Sequence, residues 1–142
     1  FKQYAVDDMV RQVIRKYAKI FISKKIKMDF IPTKACIVTD EKWFIFVLEQ
    51  IISNALKYTK KGQISIYMKE KSLVIEDTGI GIPAEDLPRI FEKGFTGYNG
   101  RENKKSTGIG LYLCKNIMDK LQWIITVDSK VGSGTKIYLT KM

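Results

Sequence analysis

The stretch Leu73-Val74-Ile75-Glu76-Asp77-Thr78-Gly79-Ile80-Gly81-Ile82-Pro83 joins an apolar strand to an acidic pair and then to two glycines. Glycine has no Cβ, so its backbone can approach a ligand closely and can adopt a positive φ. A carboxylate such as that of Asp77 accepts hydrogen bonds from a donor on the ligand. The pattern therefore indicates a ligand site, although a plain strand and a tight turn closed by Pro83 are the alternative.

Length and composition indicate one soluble globular domain covering residues 1–142. The chain has 142 residues, 45% hydrophobic content and three prolines, which suits a domain that buries most of its apolar surface. No apolar run approaches the roughly 20 residues of a membrane helix, and Phe1-Lys2-Gln3-Tyr4 shows no signal-peptide pattern. Cys36 and Cys114 lie far apart in apolar contexts. They predict buried thiols in a reducing, cytoplasmic compartment rather than a disulfide or a metal site.

The net charge of +10 raises the possibility of a nucleic-acid partner, because clustered cations attract phosphates. Along the sequence, however, the lysines are dispersed and no aromatic residues are interleaved with them. Examples are Lys16, Lys19, Lys24, Lys25, Lys27, Lys60, Lys61, Lys104 and Lys105. We expect no nucleic-acid partner, and a solvated surface biased towards an anionic membrane face or an acidic partner explains the charge as well.

Apolar periodicity predicts three main helices. The first follows Asp7 or Asp8 as its N-cap, the second follows Asp40, and the third begins at Thr107. Alternating runs predict strands at 26–31, 35–38, 63–69, 72–76, 123–127 and 136–140. The predicted fold is an α/β (α+β) two-layer sandwich, in which a mixed, mainly antiparallel sheet of about five strands carries the three helices on one face.

The second predicted helix has one broad apolar half. At about 100° per residue, this half contains Phe44, Ile45, Val47, Leu48, Ile51, Ile52, Ala55 and Leu56. Asn54 lies at its edge, with Gln50 and Lys57 just beyond and Tyr58 on the other side. An amide at such a rim can reach a ligand beside the helix, although a solvated Asn54 and a Tyr58 at the edge of the core are the alternative.

Three segments, in this order, resemble one family closely. Glu49 to Tyr58 is followed by the Asp77 stretch and then by Ser106-Thr107-Gly108-Ile109-Gly110-Leu111, a second Gly-x-Gly that opens a helix. The set resembles the ATP-binding catalytic domain of sensor histidine kinases, a branch of the fold shared with DNA gyrase, the Hsp90 chaperones and MutL. The resemblance covers the chain from about Val6 to its end.

The resemblance implies a Mg²⁺-ATP site. The residue matching Asn54 would ligate Mg²⁺ that bridges the phosphates, Lys57 would meet a phosphate, and Tyr58 would pack on the adenine side. Asp77 would accept a hydrogen bond from the exocyclic amine of adenine, where guanine has a carbonyl oxygen. Thr135 would help to hold Asp77, or is simply a threonine between a turn and a strand.

Glycine segments and a lid complete the cofactor-binding set that the resemblance implies. Backbone N–H groups at the start of the third helix would bind the triphosphate. The loop at about 84–107 would be the ATP lid, since long aperiodic loops inside a domain are usually functional. Phe91 and Phe95 match aromatic lid positions or are simply hydrophobic anchors. The other residues are Gly79, Gly81, Ile82, Lys93, Thr107, Gly108, Gly110 and Leu111, with Arg101, Lys104 and Lys105 as candidate phosphate contacts or solvated loop cations.

Gln50 separates two branches of the family. In the gyrase and Hsp90 relatives, a glutamate four residues before the metal-binding Asn activates water for hydrolysis, whereas here that position is the amide Gln50, which has no useful basicity at neutral pH. The chain also contains no histidine. We therefore expect a kinase domain that transfers the γ-phosphate to a histidine outside itself. A gyrase-like ATPase or switch, and a binding module without catalysis, are the alternatives.

Expected partners follow from that resemblance. The phosphoaccepting histidine would lie on dimerisation helices outside this chain, and a response regulator would receive the phosphate. Contact with a membrane would be made only through segments outside the chain, so the domain would be the cytoplasmic part of a cell-membrane sensor. Short kinases that sense antimicrobial peptides look similar around Lys16 to Phe21.

Overall fold

The computed structural model describes residues 1–95 and 110–142. In chain order its elements are β1 (Lys2–Ala5), α1 (Val6–Lys24), β2 (Lys27–Phe30), β3 (Cys36–Thr39), α2 (Glu41–Tyr58), β4 (Gln63–Lys69), β5 (Ser72–Asp77), a short 3-10 helix (Leu87–Arg89), α3 (Gly110–Lys120), β6 (Trp123–Lys130) and β7 (Gly134–Lys141). The second half of the predicted lid, with Arg101, Lys104, Lys105, Thr107 and Gly108, lies outside the described residues.

The main sheet confirms the predicted fold class. Its five strands follow the order β2-β4-β5-β7-β6. β2 pairs with β4 in parallel, and the other neighbours are antiparallel. Apolar residues of the sheet, such as Ile66, Ile75 and Leu139, share one buried core with α1, α2 and α3. The result is two layers, because a sheet with one apolar face is stabilised by helices packed on that face.

The start of α1 differs from the prediction. Neither Asp7 nor Asp8 is the N-cap, because the helix begins at Val6 after Ala5. The Asp7 carboxylate instead accepts hydrogen bonds from Thr33 N–H at 2.9 Å, Thr33 Oγ1 at 2.7 Å and Lys34 N–H at 3.1 Å. Burial alone would raise the pKa of Asp7, but these hydrogen bonds lower it.

An unpredicted strand explains why α1 starts early. β1 pairs antiparallel with β3 in a separate two-stranded sheet, and Val6 N–H donates to the Ala35 carbonyl at 2.9 Å. The predicted strand at 35–38 therefore exists, but it belongs to this small sheet and not to the main one.

The second helix confirms both its predicted cap and its predicted buried half. Asp40 Oδ1 accepts a hydrogen bond from Trp43 N–H at 3.2 Å, which satisfies one of the free N–H groups at the helix start. All eight predicted apolar positions are buried, and Asn54 is half-buried at their edge. None of the helices in residues 1–95 and 110–142 is long and apolar enough to cross a membrane.

The two cysteines differ in exposure, so the prediction of two buried thiols was wrong for one of them. Cys114 on α3 is fully buried, and burial raises the pKa of its thiol to about 12. Cys36 is exposed. It begins β3, where side chains alternate and Ile37 and Thr39 occupy the buried side.

Candidate functional site

Asp77 is the last residue of β5 and lies opposite Thr135 of β7. Gly79 N–H donates to Asp77 Oδ1 at 2.8 Å, and the backbone N–H of Thr135 also hydrogen-bonds the carboxylate. Burial raises the pKa of Asp77, and these two donors, together with the Thr59 hydroxyl, offset that effect only in part. A carboxylate offers about four acceptor positions, so the side chain can still accept a hydrogen bond from a ligand.

Thr59 lies beside Asp77 and was missed by sequence reasoning. Its side chain is fully buried, and its hydroxyl acts on the Asp77 carboxylate, whose pKa it helps to lower. A hydroxyl also has acceptor lone pairs, so Thr59 adds a second polar group beside the Asp77 carboxylate. The only signal in the sequence is the position of Thr59 directly after α2.

Gly79 lies where these groups meet, and they leave no space for a side chain. A Cβ at Gly79 would lie 2.5 Å from the Tyr58 carbonyl oxygen and 2.9 Å from both Asp77 Oδ1 and Thr59 Oγ1. Ile80 N–H donates to the same Tyr58 carbonyl at 3.1 Å. The end of α2 and the end of β5 therefore meet at a position that only glycine can occupy without a shift of the backbone.

Gly81 is required by a contact with protein backbone. Its φ is +79°, and a Cβ there would lie 2.2 Å from the Lys130 carbonyl oxygen. Gly132 N–H donates to the Ile80 carbonyl at 3.0 Å. The glycine stretch is thus fixed against the β6–β7 hairpin.

A hydroxyl cluster anchors the next residues. Ile82 N–H donates to Ser129 Oγ at 2.8 Å, and Ser129 Oγ lies 2.8 Å from Thr135 Oγ1. Thr135 therefore contacts Asp77 through its backbone N–H, while its hydroxyl is engaged with Ser129. Sequence reasoning did not single out Ser129, because its partners lie on other parts of the chain.

The rim of α2 carries the predicted phosphate-side residues. Asn54, Lys57 and Tyr58 are all half-buried. The Lys57 ammonium lies 5.6 Å from the centre of the Tyr58 ring, and burial lowers the pKa of Lys57. In the described part of the chain, no acidic side chain forms an ion pair with Lys57. A partly desolvated cation in this position is suited to an anionic ligand.

The start of α3 adjoins this rim. A Cβ at Gly110 would lie 2.7 Å from Gln50 Oε1, and Gln50 is one helical turn before Asn54. Leu111 follows at a half-buried position. The first described turn of α3 therefore lies beside the polar edge of α2.

The described part of the predicted lid begins close to α3. It contains one short 3-10 helix, Leu87–Arg89. Phe91 packs against the core, which confirms it as an anchor, and the Arg89 guanidinium lies 4.5 Å from the centre of the half-buried Phe95 ring. The exposed Lys93 ammonium lies 6.0 Å from the ring centre of Tyr112 on α3.

The fold and this site define a family. Residues 39–142 match the model of the histidine kinase-, DNA gyrase B-, and HSP90-like ATPases. The chain belongs to that family, and its relatives are sensor histidine kinases.

Three relatives show which branch of this family the chain is similar to. The sensor histidine kinase YxdK of Bacillus subtilis is 36% identical over 97% of this chain and 46% of its own length. The sensor protein BceS of Halalkalibacterium halodurans is 38% identical over 95% of this chain and 42% of its own length. The sensor protein kinase GraS of Staphylococcus aureus is 43% identical over 72% of this chain and 31% of its own length. The chain therefore spans less than half of each of these relatives.

Solved structures show the same fold. The catalytic domain of histidine kinase ThkA has a TM-score of 0.80 at 19% identity, with 99% of this chain and 95% of that chain covered. Full-length ShkA, solved in complex with AMPPNP, has a TM-score of 0.77 at 18% identity, with 98% of this chain and 31% of that chain covered.

Proposed function

We propose that this domain binds Mg²⁺-ATP and donates the γ-phosphate to a histidine on a separate dimerisation segment, for relay to a response regulator. The observation that carries the proposal is the half-buried Asp77 carboxylate, held by Gly79 and Thr135 beside the buried Thr59 hydroxyl. Adenine presents a hydrogen-bond donor and adjacent acceptors on one edge, so a carboxylate and a hydroxyl side by side suit it. Guanine has a carbonyl oxygen in place of the amine and would be repelled by the carboxylate.

The polar edge of α2 supplies the phosphate side of the proposed site. Lys57 is a partly buried cation without an acidic partner among the described residues. Hydrogen bonds to a phosphate would compensate for the hydration that its ammonium group loses on burial. Asn54 offers an amide oxygen on the same rim. Mg²⁺ usually keeps several waters and takes few protein oxygens beside the phosphates, so one amide is a fitting donor set. When bound, the metal would neutralise charge on the phosphates.

The absence of a base in the expected place favours transfer over hydrolysis. Gln50, next to Gly110, carries an amide that cannot activate water at neutral pH. The chain contains no histidine, so an acceptor in this reaction must come from another segment. We infer that the domain acts on the cytoplasmic side of a membrane sensor, together with the helices that carry that histidine.

Phosphotransfer in trans tests this function. The 142-residue chain with labelled ATP should neither label itself nor hydrolyse ATP appreciably. The protein's own histidine-bearing segment, added in trans, should acquire an acid-labile phosphate. Asn54→Ala should abolish this labelling by removing the proposed Mg²⁺ ligand, whereas Asn116→Ala, an exposed asparagine on α3, should leave it intact. Rapid ATP turnover by the chain alone, without transfer, would favour the gyrase-like ATPase instead.

A further inference from the structure

The fold gathers lysines that are dispersed in the sequence. Lys24 and Lys25 close α1 and Lys27 begins β2, while Lys60 and Lys61 lie in the turn between α2 and β4. Two contacts bring the segments together: Lys27 N–H donates to the Gly62 carbonyl at 3.1 Å, and Lys24 Nζ donates to the Leu56 carbonyl. We call these five lysines the basic end of the domain.

Among the described residues, no acidic side chain pairs with the four exposed lysines of the basic end. These lysines are Lys25, Lys27, Lys60 and Lys61. Residues 15–27 and 56–63 contain no Asp or Glu. The four ammonium groups therefore create a local positive potential that salt screens.

An exposed aliphatic side chain accompanies these cations. Ile22, in the last turn of α1, has 77% of its surface exposed. On the helix it shares the outer face with Arg15 and Lys19, both of which are also exposed. Cations around an exposed aliphatic residue are typical of a surface that rests on a lipid bilayer, because the apolar group enters the headgroup region while the charges meet anionic lipids.

We propose that the basic end, with Ile22, is a docking surface for an anionic lipid bilayer, so that membrane contact is not confined to segments outside the chain. Lysine is a flexible point charge without the planar fork of arginine, so a cluster of lysines suits a diffuse charged surface better than one fixed phosphate. Single-stranded nucleic acid is a poorer fit, because it stacks on exposed aromatics. The aromatic residues of the two segments, Tyr17, Phe21 and Tyr58, are buried or half-buried.

Vesicle co-sedimentation of the 142-residue chain tests the proposal. We expect binding to vesicles that contain phosphatidylglycerol, little binding to pure phosphatidylcholine, and loss of binding at high salt. The quadruple variant Lys25→Gln, Lys27→Gln, Lys60→Gln and Lys61→Gln should weaken binding more than about tenfold. Ile22→Ser should weaken it by a smaller factor while leaving the salt dependence intact.

A matched variant separates the patch from net charge. Four exposed lysines elsewhere are changed to glutamine, namely Lys42, Lys71, Lys120 and Lys141. This variant carries the same net charge as the first one, and it should retain most of the binding. Circular dichroism and thermal unfolding check that both variants fold. Equal weakening by both variants, absence of binding to the anionic vesicles, or tighter binding to duplex DNA at the same salt would each overturn the proposal.

Discussion

The Asp77 carboxylate lies in a position that suits a ligand better than it suits the unliganded fold. Burial raises its pKa, and two backbone donors, from Gly79 and Thr135, do not fully compensate. The ionised form that the proposed contact with adenine needs is therefore the form that the fold itself disfavours. Such a conflict between stability and binding is common at functional sites.

Stability against pH should reveal this conflict. Because the folded pKa of Asp77 is raised, the native state holds the proton more tightly than the unfolded chain does. The wild-type chain should therefore lose stability relative to Asp77→Asn as the pH rises from near 3.8 to the raised pKa, and the difference should stay constant above it. Urea unfolding at a series of pH values measures this, with the exposed Asp128→Asn as control. A stability of wild type relative to the variant that stays level or rises across this pH range would contradict the expectation.

At the scale of elements, the glycine stretch depends on its fit against the β6–β7 hairpin. Gly81→Ala should cost at least about 2 kcal/mol of unfolding free energy, because a positive φ and a backbone clash combine. Gly132 provides a matched control, since its φ of +84° is similar to the +79° of Gly81 but a Cβ there would meet nothing within 4 Å. Gly132→Ala should cost only about 1 kcal/mol. Chemical denaturation compares them, and equal losses would show that the hairpin contact is unimportant.

The junction of β1 and α1 depends on the hydrogen bonds that Asp7 accepts from Thr33 and Lys34. Asp7→Asn removes a charged acceptor shared by Thr33 and Lys34, so we expect a loss of about 1 to 2 kcal/mol at neutral pH. Because the pKa of Asp7 is lowered in the fold, this contribution is fully present above its ordinary value of 3.8 and disappears as the pH falls through the lowered pKa. The exposed Asp8→Asn is the control in the same unfolding experiment. A loss that persists unchanged in strong acid would contradict this account.

At the scale of the whole molecule, the two cysteines should report on different parts of the fold. Only the thiolate reacts with alkylating reagents, and Cys114 is buried with a pKa of about 12. We therefore expect iodoacetamide to modify Cys36 rapidly in the native protein and Cys114 only as the core opens. Mass spectrometry of peptides after timed labelling measures both rates. Comparable rates would show that the core around α3 is open.

Local patterns predicted much of the fold and part of the site. The apolar half of α2, its Asp40 cap and the β4–β5 hairpin follow from periodicity and turn chemistry within single segments. β1 could not be predicted in this way, because its four residues pair with β3 more than thirty positions later. Three other contacts could not be predicted because they also join residues far apart in the sequence. They are the hydrogen bond from Thr33 to Asp7, the contact of Thr59 with Asp77, and the hydrogen bond from Lys27 to the turn after α2.

Calorimetric titration of nucleotide into wild type and Asp77→Asn tests the central claim most directly. The wild-type chain should bind ATP in the presence of Mg²⁺ and bind GTP far more weakly. Asp77→Asn should weaken ATP binding by at least about 1.5 kcal/mol, or roughly tenfold, because a charge-assisted hydrogen bond is lost, while Asp128→Asn should bind as wild type does. An Asp77→Asn variant that binds ATP as tightly as wild type would contradict the assignment of Asp77 to adenine.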